Sequence, residues 1–77
     1  MPGLRPLPPT RLICVFKRLG YVVTKRKAGD HIVMRKEGSP RPLVIPDYRD
    51  IPVFIIRNNI RSAGIDLDRF FDLLKDC

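Results

Sequence analysis

Apolar positions along this 77-residue chain recur at two spacings, and the switch between them marks out the elements. Leu12, Val15, Phe16 and Leu19 share one face of a helix, which predicts about ten helical residues between a cap at Thr10 and a closing Gly20. Tyr21–Lys25 and His31–Lys36 are rich in β-branched and aromatic residues and read as strands. Between them Lys27-Ala28-Gly29-Asp30 is a turn, with Gly29 free to take positive φ. A second turn at Glu37–Arg41 leads to Pro42–Pro46, a short third strand whose flanking prolines suit a sheet edge or a strand end. The helical spacing then returns. Val53, Ile56, Ile60 and Ala63 form a stripe that ends at Gly64, with Pro52 in the first turn and Asp50 or Ile51 as the cap. Asp66 caps a last helix on which Leu67, Phe70, Phe71 and Leu74 share a face.

The predicted order is α-β-β-β-α-α, an α+β fold. Short turns make the three strands a three-stranded antiparallel sheet, and the helices cover one of its faces. A chain of this size buries only about 60% of its unfolded surface, so that cover is obligatory and the opposite face is left open. Residues 1–9 hold four of the eight prolines and predict an extended, Pro-rich lead-in. Residues 10–77 are expected to form one domain.

Charge adds the first functional clue. Fifteen Lys and Arg against eight Asp and Glu give a net charge of +7, and the excess is uneven. Residues 1–46 hold ten basic residues and only Asp30 and Glu37 on the acidic side, whereas residues 47–77 hold five basic and six acidic. A basic half carrying Lys25-Arg26-Lys27 and Arg35-Lys36 attracts phosphates, so a nucleic acid is the expected partner. The alternative is a solvated surface with no partner. No apolar run approaches a membrane span, and no signal-like segment opens the sequence, so the expected setting is the cytoplasm with no membrane partner. One His and two Cys do not supply a zinc ligand set, and no cofactor is expected. Cys14 reads as a small apolar residue and Cys77 as a free thiol.

His31 is the only histidine and lies in the most basic segment. Strand alternation puts Ile32 and Met34 on one face and His31, Val33 and Arg35 on the other. With the apolar pair against the helices, the imidazole stands on the open face among cations. Imidazole is the side chain best suited to move a proton near neutrality. RNA offers a matching reaction, because its own 2′-OH attacks the adjacent phosphate once its proton is removed and the phosphate charge is stabilised. Lys25, Arg26, Lys27 and Arg35 are the candidate phosphate contacts, although Lys25 alternates in phase with Tyr21 and Val23 and either face is open to it.

Five stretches taken together, in order, carry a resemblance. They are Leu19-Gly20-Tyr21-Val22-Val23; Arg26-Lys27-Ala28-Gly29-Asp30-His31-Ile32-Val33-Met34; Leu43-Val44-Ile45-Pro46; Ile56-Arg57-x-x-Ile60-Arg61-x-Ala63-Gly64-Ile65; and Phe70-Phe71. From about Leu7 to Leu74 the chain resembles the HicA (YcfA-like) mRNA interferase family, the toxins of HicAB toxin–antitoxin pairs. The resemblance implies a fold like the double-stranded-RNA-binding domain, with a short extra helix at its C-terminal end. It also implies metal-independent, ribosome-independent cleavage of mRNA, with His31 as the catalytic residue and Gly29 as the turn glycine of the RNA-binding loop. Neutralisation by a HicB-like antitoxin follows from the same likeness, and a monomer is expected when the toxin is free. Two positions depart from the family pattern: Asp30 stands where Ser is usual, and Phe54-Ile55 where Gly-Thr often opens the helix.

Several residues keep two readings. Asp30 either acts on the imidazole or caps local turn amides, the second being expected because neighbours on a regular strand point to opposite faces. Phe54-Ile55 is expected to deepen the core. Tyr48 either stacks on a base or covers the sheet end. Arg57 and Arg61 either extend an RNA surface or, as expected, pair with Asp68 and Asp72. For the whole chain, the competitor to a ribonuclease is a non-catalytic module of the same fold that grips structured RNA by its phosphates. A helix-turn-helix DNA reader is disfavoured by Asp66, Asp68, Asp72 and Asp76 on the would-be recognition helix.

Overall fold

The computed structural model describes residues 3–27 and 29–77. Ala28 of the predicted turn and the first two residues of the lead-in lie outside the described residues. Three helices and three strands occur in the order α1 (Pro9–Arg18), β1 (Val22–Arg26), β2 (His31–Arg35), β3 (Leu43–Pro46), α2 (Val53–Ala63) and α3 (Leu67–Leu74). The strands form one antiparallel sheet in the order β1-β2-β3, so the fold is α+β as the sequence predicts.

α1 begins one residue earlier than its expected cap. Pro8 is the extended residue before the helix and Pro9 opens it, while Thr10 lies inside. A proline suits that place because its missing N–H is one the first turn leaves unpaired and its φ is already helical. At the other end Gly20 takes φ +99°, its N–H donates to the Lys17 carbonyl, and the Tyr21 N–H donates to the Phe16 carbonyl. This pair of bonds turns the chain out of the helix through a left-handed residue that glycine adopts without a Cβ penalty. α2, by contrast, starts later than expected, at Val53, with Pro52 before it. The reason lies upstream. Ile51 exchanges backbone hydrogen bonds with Leu7, which keeps it extended. Both side chains are buried, so the lead-in is stapled into the packed unit beside α2. Asp66 does cap α3, accepting from the Arg69 N–H at 2.8 Å.

The core sits between the sheet and the helices. Leu12, Val15 and Phe16 of α1, Ile32 and Met34 of β2, Leu43 and Ile45 of β3, Ile56 of α2 and Phe70 of α3 are fully buried. Phe16 packs against both Tyr21 and Phe70, with ring centroids 6.1 and 6.3 Å apart. Asn59 of α2 is buried with them, and its Nδ2 has no hydrogen-bond partner among the described residues. α1 packs on α3 and α2 on β3. The first of these contacts corrects the cysteine reading. Cys14 and Cys77 form a disulfide, with Cα atoms 5.8 Å apart, tying α1 to the segment after α3. A separation of 63 residues gives no local cue to such a pair; only the packing of the two helices brings the thiols together.

Candidate functional site

His31 opens the central strand, and β2 alternates as its residue pattern requires: Ile32 and Met34 are fully buried, while His31 and Arg35 are exposed. The imidazole side chain is 59% exposed, on the sheet face the helices leave open. Its backbone is held on several sides. The Lys27 N–H donates to the His31 carbonyl at 3.4 Å, and the Asp30 N–H donates to the Lys27 carbonyl at 3.0 Å. Across the sheet His31 stands opposite Pro46 of β3. Proline has no N–H to offer the ladder, and the next residue takes over that role. The Asp47 N–H donates to the Asp30 carbonyl at 2.8 Å, and Asp47 Oδ2 accepts from the Gly29 N–H at 3.1 Å. Gly29 takes φ +77°, the left-handed geometry its turn requires. The turn before His31 is therefore clasped from the loop after β3, a connection that sequence reasoning missed because Asp47 is 18 positions from Gly29.

The expected role of Asp30 is overturned. Its carboxylate Oδ1 meets His31 Nδ1 in a close contact instead of capping turn amides. The alternation argument fails here because Asp30 precedes the first residue of β2 and lies in the turn, where neighbouring side chains are free to converge. An ionised carboxylate only accepts, so the neutral ring meets Asp30 favourably in the tautomer that carries its proton on Nδ1. In the neutral ring Nε2 then carries the lone pair. With the proton on Nδ1, Nε2 is the nitrogen left to act as a base.

The strand pairing sorts the cations. Val22 stands opposite Arg35 and Val23 opposite Met34, but the register then shifts, so that Lys25 is opposite Val33 and Arg26 opposite Ile32. Thr24 is the extra residue, and its hydroxyl donates to the Val33 carbonyl at 3.4 Å. This bulge reverses the phase of the strand and settles the side of Lys25: it joins Val33, Arg35 and His31 on the open face. Arg26 falls on the other side, opposite buried Ile32, and is exposed at the sheet's end. Lys27 follows β1 at the start of the turn and is exposed. The structure thus puts Lys25 and Arg35 on the same sheet face as His31, with Arg35 at the far end of β2, and leaves Arg26 and Lys27 around the turn. The same open face carries Val22 and Val44, both exposed, so it mixes cations with apolar surface.

Other candidates resolve differently. Tyr48 is exposed just past β3. Phe54 is 66% exposed and contributes nothing to the core, contrary to expectation, whereas Ile55 packs partly against it. Arg57 and Arg61 make no ion pair among the described residues; Asp72 instead accepts from Lys75, just past the end of its own helix, at 3.3 Å. A cleft of about 340 Å³ lies between the lead-in and α3, lined by Leu4, Leu7, Arg11, Phe71 and Leu74, and includes none of the residues around His31. Among the described residues no group of three or more His, Cys, Asp or Glu is placed to hold a metal ion. No helix among them is long and apolar enough to cross a membrane.

A family model, the HicA toxin of bacterial toxin–antitoxin systems, matches residues 10–65, which include all of α1 but its first residue, the whole sheet, α2 and every candidate residue around His31. No curated protein and no solved structure matches the chain.

Proposed function

The chain belongs to the HicA toxin family of toxin–antitoxin systems, and from that premise we propose that it is an mRNA-cleaving endoribonuclease, metal-independent, with His31 as its catalytic residue. A single observation carries the proposal: the Asp30 carboxylate sits at His31 Nδ1 while the ring stands on the open face that also carries Lys25 and Arg35. In the reaction, Nε2 takes the proton of an RNA 2′-OH, and the 2′ oxygen attacks the adjacent phosphorus. The bond from phosphorus to the 5′ oxygen of the next nucleotide breaks, and that oxygen takes up a proton from water. The products are a 2′,3′-cyclic phosphate and a 5′-hydroxyl. Asp30 stabilises the imidazolium that forms, and the cations offset the charge gathering on the phosphate.

A toxin of this family works against an antitoxin partner. We place that HicB-like protein, through acidic side chains, on the open basic face around His31. The toxin is then a cytoplasmic protein, monomeric when free. Lys25, Arg26, Lys27 and Arg35 bind the RNA backbone, and Gly29 shapes the turn that approaches it.

The test compares RNA cleavage by the wild-type chain, His31→Gln and the double variant Lys25→Ala/Arg35→Ala. His31→Gln should abolish cleavage while RNA still binds; the charge variant should weaken binding for every sequence and flatten its salt dependence. Cleavage retained by His31→Gln would leave a nucleic-acid-binding module whose chemistry, if any, lies elsewhere.

A further inference from the structure

α2 has two sides of opposite character. Ile56, Asn59 and Ile60 face the core, while Phe54, Arg57, Asn58 and Arg61 are exposed. The exposed four fall at i, i+3, i+4 and i+7, so they form one continuous stripe along the helix. Three features of this stripe need an explanation. Phe54 is the most exposed of the chain's large apolar side chains among the described residues, at 66%, and an unpacked aromatic ring at a helix start contributes nothing to folding. Arg57 and Arg61 take part in none of the ion pairs of the described residues, although acidic α3 follows directly. The arginines lie one turn apart, about 6 Å along the axis, on the same side as the ring.

We propose that this stripe is a second RNA-contact surface, binding single-stranded RNA by stacking a base on Phe54 and holding flanking phosphates with Arg57 and Arg61. The inference rests on the RNA reading above and extends it to residues outside the His31 face. An apolar protein partner is disfavoured by the make-up of the stripe: the ring has two guanidinium groups and an amide along its face, and no second exposed apolar residue. A flat π-face beside unpaired cations matches the two features every unpaired nucleotide presents, a base face and a phosphate. A duplex hides its base faces and is matched by the arginines alone. α2 packs on β3 from the helix-covered side of the sheet, so the stripe lies across the sheet from the open face that carries His31. The stripe is thus a hold on RNA separate from the catalytic face.

The experiment uses the His31→Gln chain, so that bound RNA stays intact, and an unstructured oligoribonucleotide beside a duplex of the same length. All test residues are exposed, and thermal melts confirm that the variants fold. Phe54→Ala should weaken single-strand binding about tenfold and leave duplex binding unchanged, and Phe54→Tyr should restore it. Arg57→Ala/Arg61→Ala should lower the slope of log affinity against log salt by about 1.4 for the single strand. Because the sequence contains no Trp, Phe54→Trp adds a single indole whose fluorescence should be quenched by the single strand. Unchanged single-strand affinity in both α2 variants, with His31→Gln itself still binding, overturns the second surface alone. Unchanged RNA affinity with lost antitoxin binding also overturns it and gives the stripe to the antitoxin. If His31→Gln binds neither RNA, the reading of the whole chain as an RNA toxin falls with it.

Discussion

Asp47 Oδ2 accepts the Gly29 N–H at 3.1 Å, and through this contact the loop leaving β3 holds the turn that delivers His31. With the Asp47 N–H on the Asp30 carbonyl at 2.8 Å, one residue fixes two of the three positions in Gly29-Asp30-His31. Side chains that act on a phosphate tolerate little displacement, since an error near 1 Å can cost on the order of a hundredfold in rate. Asp47→Ala is expected to lower the cleavage rate about tenfold or more with RNA affinity little changed. Asp47→Asn, which keeps an oxygen acceptor, should retain much of the activity. Single-turnover cleavage at saturating protein separates the two.

The Asp30–His31 contact predicts a different pattern. Asp30→Asn removes the carboxylate that meets Nδ1, so cleavage should fall about ten- to hundredfold, within the range ascribed to general-base catalysis. Binding should hold or tighten, because a negative charge leaves a basic face. A fall in affinity equal to the fall in rate would show that Asp30 serves the loop and not the ring. Rate and affinity measured on one RNA decide it.

Much of this arrangement was legible in the sequence, and the parts that were not share a physical cause. The periodicities of Leu12, Val15 and Phe16, and of Ile32 and Met34, located α1 and β2 because those side chains face the core in regular elements. The same alternation placed His31 on the open face. It failed where regularity fails. The extra residue Thr24 reverses the phase of β1, so the side of Lys25 was undetermined until the register was known. Asp30 lies outside the strand that the alternation argument assumed. Asp47 and the Cys14–Cys77 bond are long-range contacts with no local signature. Phe54 looked like core by its chemistry, yet it falls on the solvent side of α2, out of line with Ile56 and Ile60.

The disulfide has a measurable consequence for stability. Closing a loop between residues 63 apart restricts the unfolded chain by about 4 kcal/mol on the chain-entropy account. Cys77→Ser, or a reducing agent, is expected to lower unfolding stability by up to about that amount. Cleavage at temperatures where the chain remains folded should be unaffected, since neither cysteine touches the His31 face. Urea unfolding with and without reductant checks the first statement.

Two buried positions predict shifts of opposite sign. Leu7 is 4% exposed and its backbone pairs with Ile51, so Leu7→Ala should cost about 2–5 kcal/mol although it lies in the Pro-rich lead-in. Asn59 leaves a buried amide donor without a partner among the described residues, and Asn59→Leu should raise stability by about 1 kcal/mol. Thermal melts of the two variants test whether the lead-in and the inner side of α2 belong to one core.

The measurement that bears most directly on the central claim is the chemistry of the RNA ends. Labelled RNA incubated with the wild-type chain in the presence of a chelator should yield fragments with 5′-hydroxyl and 2′,3′-cyclic phosphate ends, and His31→Ala should yield none. Equal fragment yields from His31→Ala, or 5′-phosphate ends from the wild type, would contradict the assignment of His31 as the base that starts the reaction.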